Sequence, residues 1–202
     1  DCRALLCVTD GYKEAAMSDR NKIKLVQALS GAVVLTILMQ GMTLLGMPQY
    51  IWMLFLPLLM FFALGADFKK IPSMLIGYAV GELWCVVNSL VSGAFAAAFG
   101  DNPVLSQLIP TILVIFCILT VHENIFEGAV FSNIPCIFMG MATSFMMIFF
   151  QLPITYLHLF GFWCYGTVLA ACLVLGGMGM CSAIFGKERA AKALMPKDAQ
   201  SD

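Results

Sequence analysis

Charge is what this chain has least of. Only 11% of its 202 residues are Asp, Glu, Lys or Arg, against about 25% in an ordinary soluble domain. No basic stripe with interleaved aromatics exists, so nucleic acid is excluded as a partner. Its eight cysteines include no C-x-x-C pair, so zinc and thioredoxin-like redox sites lack their spacing. There is no G-x-S-x-G, no H-E-x-x-H, no phosphate-cradling glycine loop and no dinucleotide fingerprint. The two histidines, His122 and His158, have no Ser, Cys or Asp beside them at helical spacing inside an apolar run. The chain is therefore read as not an enzyme, with no catalytic residues, no cofactor and no metal.

What it has instead is apolar length. Hydrophobic residues make up 61% of the chain. They gather in six stretches, 25–46, 50–66, 71–98, 103–121, 130–150 and 159–185. A hydrocarbon core of about 30 Å needs roughly 20 apolar residues in a helix. The expectation is an all-α fold, a polytopic membrane protein built as a bundle of six transmembrane helices. It forms one domain over 17–186, followed by a basic tail over 187–202. The connections are too short to hold a soluble module.

Basic residues set the orientation. Arg3, Lys13, Arg20, Lys22 and Lys24 precede the first stretch, Lys69 and Lys70 follow the second, and Lys187, Arg189, Lys192 and Lys197 follow the last. An even number of crossings puts all eleven on one face, which the positive-inside rule makes cytoplasmic, with both termini there. The partners implied are the lipid bilayer, a small solute and, through small-residue ridges, a second copy in a homo-oligomer.

Residues 1–16 lack the charged start and apolar core of a secretory signal. Tyr12-Lys13-Glu14-Ala15-Ala16-Met17 back-translates into a purine-rich run just before a start codon, as at a bacterial ribosome-binding site. The expectation is translation from Met17, with 1–16 an over-extended reading frame. A short disordered tail is the alternative. Without Asp1, Arg3, Asp10, Lys13 and Glu14 the formal net charge is zero.

The stretches at 71 and 134 share a pattern. Ile71-Pro72 to Gly77 and Ile134-Pro135 to Gly140 both read I-P-x-x-x-x-G, with a small residue four places on, Gly81 and Ser144. Pro suits a first helical turn because its missing N–H has no partner there. Small residues one turn apart let another backbone come close, so Gly77, Gly81, Gly140 and Ser144 are expected to pack helices. Two copies an even number of spans apart share one orientation, which suggests parallel helical hairpins as a repeat.

Glu82 is the ionisable side chain deep in a span, roughly 16 Å along its helix from Ile71. A charge there costs at least about 2.5–3.5 kcal/mol on insertion scales. Tyr78, Glu82, Cys85, Ser89 and Ser92 fall on one helical face. Glu82, Tyr78, Ser89 and Ser92 are read as a candidate intramembrane polar path. A neutral Glu82 hydrogen-bonding a neighbouring helix is the structural alternative, and both stay open. Asn88, Gln40, Gln107 and Asn133 are read as interhelical hydrogen-bonders.

Other features carry blander readings. His122, Glu123 and Glu127 form a solvated loop with too few ligands for a metal. Met178-Gly179-Met180-Cys181 offers soft groups suited to Cu(I), but Met and Cys are common fillers of irregular apolar packing. Tyr50, Trp52, Tyr156 and Trp163 are expected at headgroup level as an aromatic belt. Pro57 and Pro110 predict kinks, and Gly176-Gly177 a weak point in the last helix.

The pattern resembles the YcdZ-like family of small bacterial inner-membrane proteins, a domain of unknown function. The likeness runs from about Leu25 to Phe185. It rests on Tyr50-Ile51-Trp52, Phe62-Ala63-Leu64-Gly65, the small-residue third stretch, and Ile134-Pro135 to Gly140 with Ala142-Thr143. It implies an inner-membrane, multi-helix protein and brings no activity or catalytic residues with it. The leading expectation is a channel or transporter-like protein for a small solute or ion. The alternative is a non-transporting membrane subunit that anchors another protein through 122–127 and the basic tail.

Overall fold

The computed structural model describes the backbone of residues 2–100 and 102–189, and side chains from residue 21 onward within that range. Asp101, the leader's side chains and most of the basic tail lie outside the described residues. Every regular element among the described residues is helical. Four helices are long and apolar enough to cross a membrane: Asn21–Leu44, Phe68–Phe99, Val104–Ile125 and Tyr156–Phe185. Two more, Pro48–Ala63 and Ile134–Phe149, are apolar but shorter.

The chain divides into two compact units, one comprising Asp1–Pro48 with Leu169–Asp202 and the other Gln49–Val168. In the first, α1 (Cys2–Leu44) lies antiparallel to the second half of α6 (Tyr156–Phe185). Gly177 faces Gln27 and Ser30, Gly31 faces Leu173, and the Cys181 thiol donates to the Ile23 carbonyl at 3.6 Å. The glycine pair at 176 and 177 leaves α6 unbroken. Val34 and Gln27 of α1 lie against these two glycines.

The second unit holds α2 (Phe55–Ala63), α3 (Ile71–Phe99), α4 (Ile109–Leu119), α5 (Ile134–Phe149) and the start of α6. Each proline sits near a change of helix type. Pro57 sits in the first turn of α2, after a 3₁₀ stretch from Pro48 to Leu54. Pro110 has no N–H to give the carbonyl four residues back. The chain ahead of it widens into a π turn, Val104–Leu108, with Ile109 N–H reaching the Val104 carbonyl. A second π segment, Thr120–Ile125, follows α4. Such widened turns often occur at functional positions.

The two I-P segments open α3 and α5, and the helices meet along them. Asn133 accepts from the Cys136 N–H and donates to Ser73 Oγ at 3.1 Å. Further along, Gly81 lies against the Ile137 backbone and Gly140 against that of Tyr78. The contacts advance in the same sense on both helices, so α3 and α5 run parallel. Cys85, Val114, Ile118, Ile137 and Met141 form a buried core between α3, α4 and α5.

Helix lengths then set the site. From a shared starting end, α3 runs 29 residues and α5 only 16. At 1.5 Å per residue α3 overshoots α5 by about 20 Å. Gln151 closes α5 in a left-handed conformation (φ 50°), and Leu152 N–H reaches back to the Met147 carbonyl at 3.0 Å. The recess beyond α5 is walled by α3 and the head of α4.

Candidate functional site: a polar face of α3

Glu82 sits where α3, α5 and the start of α6 come together. Its backbone N lies beside Gly140, so a β-carbon added there would sit 3.2 Å from it. The side chain is half-buried. Its Oε1 is enclosed and has no hydrogen-bond partner in the protein. Tyr78, Cys85, Tyr156 and Cys164 all lie within electrostatic reach of its carboxyl group. A buried acceptor without a donor costs about 1–3 kcal/mol. Oε1 makes no helix-to-helix hydrogen bond, so a structural bond from this carboxyl has to come from Oε2.

Tyr78 is held from two sides. Its hydroxyl is 2.7 Å from Thr143 Oγ1 on α5, and its ring stacks on Trp163 of α6 with centroids 4.2 Å apart. The Trp163 indole N–H donates to the Met74 carbonyl at 3.2 Å. Trp163 and Tyr50 are buried, and Tyr50 stacks on Phe162. The expected aromatic belt is corrected at these two positions, where the rings fill the core. Trp52 is exposed and Tyr156 half-buried.

Ser89 is exposed and turns its hydroxyl onto the Cys85 carbonyl of its own helix at 3.0 Å. Ser92, one turn on, lines the recess above α5 together with Asn88, Gln107 and Thr111. Asn88 is 5% exposed, and its Oδ1 has no partner. Its expected role as an interhelical hydrogen-bonder is corrected at that oxygen, whereas Asn133 does bond across to Ser73. Gln107 is carried to the recess by the π turn before α4. Gln40 is exposed on α1. Sequence spacing marks Asn88 as polar and buried, but it cannot show that α5 stops short of it.

His122 is also corrected. It is buried on the second π segment. Its Nε2 accepts from the Trp84 indole N–H at 3.1 Å, and Nδ1 faces Ser132 Oγ at 3.4 Å. Accepting at Nε2 places the ring proton on Nδ1, toward Ser132. Glu123 and Glu127 stay exposed. His122→Phe will leave the half-buried Trp84 N–H without its partner, a loss of about 0.5–1.5 kcal/mol. The double variant Trp84→Phe/His122→Phe will recover part of that loss. Strictly additive unfolding free energies from the two single variants would reject the pairing.

Among the described residues no three His, Cys, Asp or Glu side chains converge as a metal set. In 178–181 the two methionines are exposed while Cys181 points to α1, so those soft groups do not converge. No family model matches the chain, and neither a curated protein nor a solved structure is detectably similar to it.

Proposed function

We propose that the chain is an integral membrane protein whose bundle passes a small solute or ion, with Glu82 as the polar point on the route. The observation that carries this is the Glu82 carboxyl, whose Oε1 is enclosed and unpaired, with Tyr78, Cys85, Tyr156 and Cys164 within electrostatic reach. Intramembrane carboxyls are costly to keep, and they mark ion and solute routes more often than inert packing. Further along α3, Asn88 and Ser92 line the recess.

The six-span arrangement belongs to this reading. Pro48–Ala63 and Ile134–Phe149 would cross as short spans, with local bilayer thinning or protein neighbours making up the length. All the Lys and Arg residues then share one face. A bacterial inner membrane, cytoplasmic termini, a YcdZ-like relationship, a hairpin repeat and a homo-oligomer complete the proposal. In the anchoring alternative, the burial of His122 leaves Glu123, Asn124 and Glu127 as the exposed polar groups of the 122–127 surface.

Stopped-flow light scattering on proteoliposomes tests the route with small neutral solutes and weak acids at two pH values. Glu82→Gln keeps shape and removes ionisation. Flux should change by about tenfold, the equivalent of roughly 1.4 kcal/mol in a barrier, and lose any pH dependence. Wild-type flux and pH response in a folded Glu82→Gln protein would reject Glu82 as part of the route.

A further inference from the structure

We propose that the recess above the end of α5 is a binding site for an uncharged amphipathic small molecule that offers a hydroxyl or amide N–H beside an apolar body. The cleft has a volume of about 520 Å³, within the range of small-molecule sites, about 300–1,000 Å³. Its walls divide by chemistry. Asn88 and Ser92 of α3 face Gln107 and Thr111 at the head of α4, and Phe145 and Phe149 of α5 supply apolar surface.

Asn88 decides which group the occupant must bring. The residue is more than nine-tenths buried, and its Oδ1 is an acceptor with no donor in the protein. Buried polar atoms in folded proteins are nearly always paired. The missing complement is a donor, which a hydroxyl or amide N–H provides. Among the described residues no Asp, Glu, Lys, Arg or His lines the cleft, so an ionised ligand would leave water without gaining a counter-charge there, at high cost. Neutral ligands are therefore selected over charged ones. The phenylalanines supply the contact for the apolar part, as aromatic walls commonly do in such sites.

The depth fits that chemistry. Asn88 lies about 26 Å along α3 from Ile71, near the far edge of a hydrocarbon layer of about 30 Å. Amphipathic molecules concentrate at that level. The same donor-plus-apolar chemistry is offered by a dissolved alcohol or amide and by the glycerol hydroxyl of a lipid. Binding here does not require passage, so a failed flux assay would leave this site standing.

The test is equilibrium binding by fluorine NMR to the protein in nanodiscs, with empty nanodiscs as the partition blank. The probe is 2-(4-fluorophenyl)ethanol, and 4-fluoroethylbenzene is its counterpart without the donor. The alcohol should bind about fivefold or more tightly than the hydrocarbon, the value of one well-placed hydrogen bond to a buried acceptor. Asn88→Leu should abolish that preference while keeping hydrocarbon binding and raising the unfolding temperature, because it removes an unpaired polar atom. If Asn88→Leu does not fold, Gln107→Leu at an exposed position should reduce the preference about twofold. Equal binding of alcohol and hydrocarbon by the wild type would overturn the site, as would an unaltered preference in Asn88→Leu. Displacement of the probe by mono-oleoylglycerol in the nanodisc would support the site with a lipid as occupant. Retention of the probe would support it with a dissolved solute.

Discussion

Gly81→Ala and Gly140→Ala will each destabilise the fold by about 3 kcal/mol, the upper part of the usual overpacking range. An added methyl at Gly81 would overlap the Ile137 carbonyl oxygen, with Ile137 C at 2.8 Å and Met141 N at 2.9 Å. At Gly140 it would overlap the Tyr78 carbonyl oxygen, with Tyr78 C at 3.0 Å. All of these are backbone atoms of a neighbouring helix. No rotamer change can make room, so α3 and α5 would have to separate along their crossing. Apolar side chains lose little by facing lipid, so close packing is what holds such helices together. Gly93 on the same helix is the control, with open space where its β-carbon would go. Gly93→Ala should stabilise by about 0.5–1 kcal/mol, because alanine is the better helix former. Unfolding midpoints in mixed micelles would show the contrast, and equal midpoints for Gly81→Ala and Gly93→Ala would refute the crossing.

That crossing is the part of the fold the sequence states most directly. The I-P starts and the small residues one turn apart are local signals, and each one has a local physical cause. Glu82 was legible for the same reason, as a charge in an apolar run. Asn88 was legible only as a buried polar group. The recess it lines depends on α5 ending after 16 residues while α3 runs 29, and that difference is set by where a distant chain turns. His122 was misread because hydropathy places the end of a stretch near residue 121. A π segment carries the helix on to Ile125 and swings the imidazole beneath Trp84. The aromatic reading failed more instructively. A tryptophan near the end of an apolar stretch suits a headgroup layer and a core equally well. Only the partner opposite it decides, and for Trp163 that partner comes from 85 residues earlier in the chain.

Trp163→Ala will therefore be among the most damaging substitutions in the Gln49–Val168 unit, costing about 3–5 kcal/mol. The indole is 2% exposed. It stacks on Tyr78 at an interplanar angle of 14° and closes a hydrogen bond to Met74, so one ring ties α6 to two successive turns of α3. The transfer gain from water is small where the alternative surroundings are lipid. The loss is then mainly the cavity and the stacking, which places the value toward the lower end of that range. Trp163→Phe keeps a ring against Tyr78 and gives up the N–H, so it should cost only about 0.5–1.5 kcal/mol. The larger consequence concerns Glu82. Tyr78 flanks its carboxyl group and is oriented between Trp163 and Thr143. Removing the indole frees the Tyr78 ring to leave that position, and any flux that Glu82 supports should fall further in Trp163→Ala than in Trp163→Phe. Equal stability of the two variants would show that the indole is not the strut between α3 and α6. A stability difference with unchanged flux would confine Trp163 to holding the helices together.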